Sequence, residues 1–452
     1  MPNKVLIANR GEIACRVIRA CRELGIRSVA VFSEADRNSL HVKLADEAVC
    51  IGAGTNADSY LNLANVLMAV EISGADAVHP GYGYFSERAA FAEALAVIGA
   101  KFIGPPVEAI RAMGDKASAK QAAISVGCPV VPGSEGAVET EEEAARFAEE
   151  IGYPILLKAV AGGGGRGIRR VNSQADFDST WKMAQAEAQA SFGNGDLLVE
   201  KFVVRPRHIE IQVFGDQHGN VVHLGERECS VQNLRHQKIV EEAPYVHMTP
   251  ELRSAMGEAA VRVAKAVGYQ SAGTVEFLLD ADNNFYFLEM NTRLQVEHPV
   301  TEEVVGLDLV HLMLRTADGE RLPFQQDEVT WTGHSIEVRI TAQDPDRDFA
   351  PSTGAIRHWR APGGRGVRVE TFCETGTVIS PYYDPLLAKL IVTAADRPQA
   401  IAKLLTALGE FAIEGITTSI PFLLRIVEHP EYAAGKCDTS LVPRMLGEVV
   451  EN

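Results

Sequence analysis

Gly273-Thr-Val-Glu-Phe-Leu-Leu279, the polar turn Asp280-Ala-Asp-Asn-Asn284 and Phe285-Tyr-Phe-Leu-Glu-Met-Asn-Thr-Arg-Leu-Gln-Val-Glu-His-Pro299 form the stretch around which the chain is organised. Two short arms, rich in β-branched and aromatic residues, flank an Asp/Asn turn, which predicts a β-hairpin. Glu276 lies on the first arm and Glu289 on the second, and one register open to the turn sets the two carboxylates side by side. Asn291 follows on the same face as Glu289. Ionised groups among Val275, Phe277, Leu288 and Met290 are costly unless paired or metal-bound. Two carboxylates and an amide offer hard oxygen donors, which suit Mg²⁺ or Mn²⁺ better than Zn²⁺. Taken alone, the two acids read equally well as the solvated face of a surface hairpin. Arg293, Gln295, Glu297 and His298 then crowd the next turn of chain, and that polar density favours a metal–nucleotide site.

Upstream, Arg207-His-Ile-Glu-Ile-Gln-Val-Phe214 alternates, with Ile209, Ile211 and Val213 on one face and His208, Glu210 and Gln212 on the other. Cys229 to Val240 carries Gln232, Arg235, His236 and Lys238. Lys158 ends an apolar strand and runs into Ala161-Gly-Gly-Gly-Gly-Arg-Gly-Ile168. Such glycines let backbone N–H groups face phosphate oxygens, and the lysine adds a point charge. No Gly-Lys-Ser/Thr follows, which excludes a Walker-type loop; a flexible hinge is the alternative. Thr140 to Glu143 reads as a capping box for a helix ending near Gly152. Downstream, a further unit begins near Trp331, where His334-Ser-Ile-Glu-Val-Arg-Ile340 sets Glu337 and Arg339 opposite its apolar residues.

Residues 1 to about 110 alternate strand and helix in the doubly wound α/β pattern, with strands at Lys4–Ala8, Ser28–Phe32, Ala75–His79 and Lys101–Gly104. The first strand–helix junction, Asn-Arg-Gly-Glu, lacks G-x-G-x-x-G, so NAD binding is not expected. A net charge of −17 without acidic blocks argues against nucleic-acid binding. The 7 cysteines are scattered, form no Cys-x-x-Cys, and fit a reducing, cytoplasmic setting. No apolar run reaches membrane-spanning length, and no signal peptide is expected.

Ile7-Ala-Asn-Arg-Gly-Glu-Ile-Ala14, His79-Pro-Gly-Tyr-Gly83, Met113-Gly-Asp-Lys116, Lys158 with its glycine loop, Arg235-His-Gln-Lys238 and Glu289 to Pro299 occur in order along the chain. Together they resemble biotin carboxylase, the ATP-grasp component of biotin-dependent carboxylases. The resemblance implies an α/β protein in three parts. Residues 1–113 would form a doubly wound N-terminal domain. Residues 114–330 would form an ATP-grasp domain with a mobile lid at 131–203, and residues 331–452 a C-terminal α+β domain. It implies carboxylation of biotin N1 by ATP and bicarbonate through carboxyphosphate. Glu276, Glu289 and Asn291 would hold Mg²⁺ or Mn²⁺. Lys116, Lys158, Gly164, Gly165, Glu200, Lys201, Phe202, Val203, His208, Gln232, His236 and Leu278 would join Glu276 and Glu289 in contacting the nucleotide. Lys238, Arg293, Gln295 and Val296 would form the bicarbonate pocket, with Glu297 as base. Arg339 would stabilise enolate-like biotin, and Tyr82 and Asp384 would lie on the biotin side. The loop departs from the family's usual Gln-Arg-Arg-His-Gln-Lys: Gln232-Asn-Leu-Arg-His-Gln-Lys238 is longer by one residue.

The chain ends without a Met-Lys-Met biotinylation motif, so biotin is expected on a separate carrier protein and the carboxyltransferase on further chains. Arg19 and Glu23 match the face used for dimers in the family, which implies a homodimer. An acetyl-CoA carboxylase of fatty acid synthesis is the expected holoenzyme, with pyruvate, 2-oxoglutarate and propionyl-CoA carboxylases as alternatives. Another ATP-grasp ligase, or a catalytically silent subunit, are the competing functional readings.

Overall fold

The computed structural model describes residues 1–134, 136–138, 140–160 and 167–447. Two compact units emerge. The larger holds Met1–Cys128, Arg207–Phe277 and the described residues from Glu289 to 447; the smaller holds the described residues of Pro129–Pro206 and Leu278–Leu288.

The larger unit opens with a parallel sheet of β1 (Lys4–Ile7), β2 (Arg27–Phe32), β3 (Glu47–Cys50), β4 (Ala77–His79) and β5 (Lys101–Phe102) in the order β3-β2-β1-β4-β5. Helix α1 (Gly11–Glu23) buries Ile13, Ala14, Val17, Ile18 and Cys21 at helical spacing against it. Strand order reverses between β1 and β4, so their carboxyl ends flank the crevice where such sheets bind ligands. The edge strand β3 was not anticipated from the sequence. It is four residues long and half exposed, so it lacks the continuous apolar run that marks its neighbours.

The smaller unit is built on an antiparallel sheet of β6 (Ile155–Ala159), β7 (Ile168–Val171) and β8 (Leu197–Lys201) in the order β7-β6-β8. Helices Glu141–Ile151 and Gln174–Phe192 close its core of Ile155, Leu157, Val171, Phe177, Trp181 and Val199. The Thr140 hydroxyl accepts from the Glu143 N–H at 3.1 Å, capping the first of these helices as its sequence predicts.

The second sheet of the larger unit contains β9 (Arg207–Gly215), β10 (Val221–Gln232), β11 (Lys238–Ala243), β14 (His334–Thr341) and, up to Phe277 and from Glu289, the strands β12 (Ser271–Leu279) and β13 (Phe285–Asn291). Its order is β13-β12-β9-β10-β11-β14, followed by strand Leu386–Ala394 and edge strand Val367–Thr371. The strands after Trp331 therefore extend the same sheet, because β14 pairs with β11 through Val240↔Val338 and Glu241↔Glu337. One face of β14, Ile336, Val338 and Ile340, is buried beneath helix Arg397–Glu410 through Ala400, Leu404 and Leu408. The opposite face carries Glu337 and Arg339, with Glu337 fully buried. No helix among the described residues is long and apolar enough to cross a membrane.

Strand β10 is buried along its whole length and carries a bulge between His223 and Glu226. The bulge turns on Gly225, whose φ of +88° suits glycine and whose place a Cβ would contest with Trp331 Nε1 at 2.2 Å. Gly225→Ala should therefore lower stability by about 2–4 kcal/mol, through backbone strain and overpacking together, read as a lower denaturation midpoint.

Candidate functional site

Lys238, the first residue of β11, places its Nζ against three carboxylates: Glu210 at 2.5 Å, Glu297 at 2.7 Å and Glu276 at 2.9 Å. Glu210 comes from β9, Glu276 from β12 and Glu297 from the irregular segment after β13. A fully buried arginine, Arg227 of β10, backs this knot. It donates to Glu210 at 2.5 Å, Gln212 at 2.7 Å, Thr301 at 2.9 Å and Thr274 at 3.0 Å. Every acid in the knot has a charged partner, which is the condition for burying it.

Asn291 donates its amide to Glu276 at 2.9 Å, and Gln295 does so at 3.1 Å. His208 Nε2 lies 3.0 Å from the second Glu276 oxygen, and Gln232 braces the far ring nitrogen at 3.2 Å. Burial pushes Glu276 up, but Lys238 and His208 outweigh it and hold the carboxyl below the usual carboxylate range. For Glu289 the balance reverses: burial and the neighbouring Glu276 charge push it up, with Lys116 opposing. A pair of carboxylates and an amide oxygen under this mutual repulsion fits a hard divalent cation.

Glu297 is fully buried, yet Lys238, Arg339 and Arg227 hold it well below the usual carboxylate range against that burial. Arg339 bridges Glu241 at 2.6 Å and Glu297 at 3.0 Å. Burial pushes Glu241 up to about 7 and Glu337 well above the usual value, in each case against a neighbouring cation. Arg293 is fixed by Glu87 at 2.8 Å, Gln295 at 2.8 Å and Asn291 at 3.0 Å. Tyr82, at the carboxyl end of β4, donates its hydroxyl to Glu12 of α1.

The structure thus brings Lys238, Glu276, Glu289, Asn291, Arg293, Gln295, Glu297, Arg339, His208 and Gln232 into one cluster of charges and hydrogen bonds. It leaves His236 exposed on the turn after β10, at a φ of +59°, while Asn233 closes that turn by accepting from the Arg235 and Gln237 amides. Asp384 is exposed and caps the Leu386 amide at 2.9 Å. In the smaller unit Lys158 pairs with Glu200. The amides of Lys201 and Phe202 bond to Pro132 and Pro154 at 2.7 and 3.1 Å, and Val203 and Leu278 are half-buried there. Gly164 and Gly165 lie outside the described residues. Sequence reading gave no role to Glu210, Arg227, Glu241, Glu12, Glu87 or Lys389. The run Glu226-Arg227-Glu228 inside a wholly buried strand was the available signal for Arg227.

Three family descriptions match the chain: "Biotin carboxylase, N-terminal domain" over residues 1–110, "Carbamoyl-phosphate synthase L chain, ATP binding domain" over 115–325 and "Biotin carboxylase C-terminal domain" over 337–444. A biotin carboxylase of Nostoc sp. is 54% identical, covering 98% of this chain and 99% of that one. The mitochondrial methylcrotonoyl-CoA carboxylase subunit alpha of Mus musculus is 51% identical across 98% of this chain, which spans 62% of that protein. The biotin carboxylase domain dimer of Hydrogenobacter thermophilus 2-oxoglutarate carboxylase, solved with MgADP, ADP and bicarbonate, superposes with a TM-score of 0.89 at 48% identity over 100% of both chains.

Arg227→Met should cost about 3–5 kcal/mol of stability, because it strands the Glu210 charge in the core. Adding Glu210→Gln should recover part of that loss, and a double-mutant cycle of denaturation midpoints measures the coupling.

Proposed function

The chain belongs to the biotin carboxylase family of ATP-dependent carboxylases, and we propose that it carboxylates the N1 nitrogen of carrier-borne biotin, using ATP and bicarbonate by way of carboxyphosphate. The observation that carries this reading is the pairing of Lys238 and Arg339 with the buried carboxylate Glu297, next to Arg293 and Gln295, which bond to one another, Gln295 reaching Glu276. It is an anion pocket with its own base.

Glu276, Glu289 and Asn291 would hold Mg²⁺ or Mn²⁺, which when bound neutralises phosphate charge during transfer. Lys116, His208, Gln232 and His236 are read as nucleotide contacts of the larger unit. Within the smaller unit, Lys158 exchanges Glu200 for phosphate, and Glu200 to Val203 with Leu278 reads the base. Arg293, Lys238, Gln295 and the Val296 backbone orient bicarbonate. Glu297 takes the bicarbonate proton, and a bicarbonate oxygen then bonds to the γ-phosphorus as the bond to ADP breaks.

Glu297 clamped by Lys238 and Arg339 is ionised but a weak base. An anionic substrate that draws Lys238 toward itself, and biotin that draws Arg339, loosen this clamp and raise Glu297's proton affinity where it is needed. Arg339, once turned to biotin, stabilises the enolate-like oxygen, with Tyr82 and Asp384 on that side.

The reading extends to a cytoplasmic homodimer that serves an acetyl-CoA carboxylase, with carrier and carboxyltransferase as separate proteins. All seven cysteines are free, which suits a reducing compartment. Arg19 and Glu23, now paired within the chain to Glu370 and His311, lie on the face assigned to the dimer. The division at residues 113 and 330 goes with the same reading. Reconstitution with candidate carboxyltransferases decides among acetyl-CoA, propionyl-CoA, methylcrotonoyl-CoA, pyruvate and 2-oxoglutarate as the final acceptor.

With Mg²⁺ present, ATP hydrolysis should require bicarbonate and rise with free biotin; hydrolysis indifferent to bicarbonate would sink the reading. Glu289→Gln should raise the Mg²⁺ concentration for half-maximal turnover by about tenfold or more, measured by metal titration of the same assay.

A further inference from the structure

We propose that Lys389 is a positioning residue that sets the backbone of the bicarbonate pocket, an inference that rests on the functional reading of Arg293 to Glu297. Residues Thr292 to Glu297 have no regular secondary structure, yet they carry three of the groups assigned to that pocket. Their side chains are fixed by Glu87, Glu276, Lys238 and Arg339. Their backbone is held at several points, among them the Leu294 carbonyl by Arg293 and the Glu297 carbonyl by the Val300 N–H, each at 3.3 Å. Glu87 accepts from the Thr292 N–H at 3.1 Å, His298 meets the Gln295 carbonyl at 2.7 Å, and Lys389 Nζ donates to the Val296 carbonyl at 2.8 Å.

Lys389 is wholly buried in strand Leu386–Ala394, directly opposite Arg339 of β14. Beyond the Val296 carbonyl it has Glu12 at 3.4 Å, and Glu12 in turn accepts from the Tyr82 hydroxyl. A buried lysine facing a backbone carbonyl is a costly way to fill a sheet interior, since an apolar side chain of equal length packs there without desolvation. Its return is orientational. The Val296–Glu297 peptide is trans, since among the described residues the cis peptides lie at Tyr153-Pro154 and Ala243-Pro244. In a trans peptide the carbonyl and N–H point to opposite sides. Lys389 therefore pulls the Val296 oxygen toward the sheet and turns the Glu297 N–H away from it, and that N–H meets no acceptor among the described residues. A backbone donor left free in the segment that carries Arg293 and Gln295 is a ready ligand for a small oxyanion.

The test compares full-length wild type with Lys389→Arg, Lys389→Met and the double variant Lys389→Met/Glu12→Gln in the bicarbonate-dependent ATPase assay. The double variant removes the buried charge pair together, so it carries the test if Lys389→Met alone fails to fold. The Met variants should raise the bicarbonate KM about tenfold while the ATP KM stays within about twofold, and Lys389→Arg should restore part of the loss. A folded Met variant with a wild-type bicarbonate KM overturns the proposal, as does an equal rise in both KM values. Wild-type protein without bicarbonate-dependent turnover overturns the functional reading instead, so the two failures are told apart.

Discussion

One lysine among three buried carboxylates is the constraint on which the rest of this molecule depends. Lys238 meets Glu210, Glu276 and Glu297 within 3 Å, and no single cation balances three acids. At 4 Å and an effective dielectric near 20, each like-charge pair costs about 4 kcal/mol. The surplus has to be met from elsewhere, and the fold meets it from every side. Arg227 reaches in from β10, His208 from β9 and Arg339 from β14. Residues far apart in sequence are thereby tied to one point. An apolar core would be the cheaper solution. The polar one makes sense where charge has to be moved during a reaction.

The same balance shapes how the site meets its substrates. Bicarbonate and nucleotide phosphates are anions, and acids crowd the pocket proposed for them. Two features resolve this. Glu276 and Glu289 repel one another, and a divalent cation held between these acids would reverse the local sign. The cations already present are engaged with acids as exchangeable partners. An arriving anion competes for a lysine or arginine that is pre-placed, so little reorganisation is asked of the pocket.

Much of this was legible in the sequence where the signal was local. The apolar strands of the N-terminal sheet, the α1 stripe and the Thr140 cap are short-range patterns, and the structure follows them. So is the hairpin that brings Glu276 near Glu289 and Asn291. What escaped was relational. Glu210 was visible on a polar strand face, but nothing local said that Lys238 and Arg227 would both reach it. Lys389 sits in Leu-Ala-Lys-Leu-Ile-Val, which reads as a strand with one outward lysine, and only the neighbouring β14 makes that lysine inward and buried. His236 shows that closeness in sequence does not set burial. It stands two residues from Lys238, yet the turn closed by Asn233 leaves it exposed.

Sheet continuity explains how the C-terminal segment delivers Arg339 and Lys389 with the accuracy that chemistry asks of them. Side chains alternate along a strand, so a slip of one residue exchanges the two faces. In β14 such a slip would bring Glu337 and Arg339 under helix Arg397–Glu410, among Leu404, Leu408 and Ala400, and set Val338 against Glu297. It would bury two charges in hydrocarbon and strip Glu297 of a partner, a double penalty that few other registers of the strand incur. The apolar face therefore does more than stabilise the C-terminal region. By making the one-residue slips expensive, Ile336, Val338 and Ile340 help to fix where the arginine stands, and ladder pairing carries that position through Arg339↔Lys389 to the carbonyl of Val296.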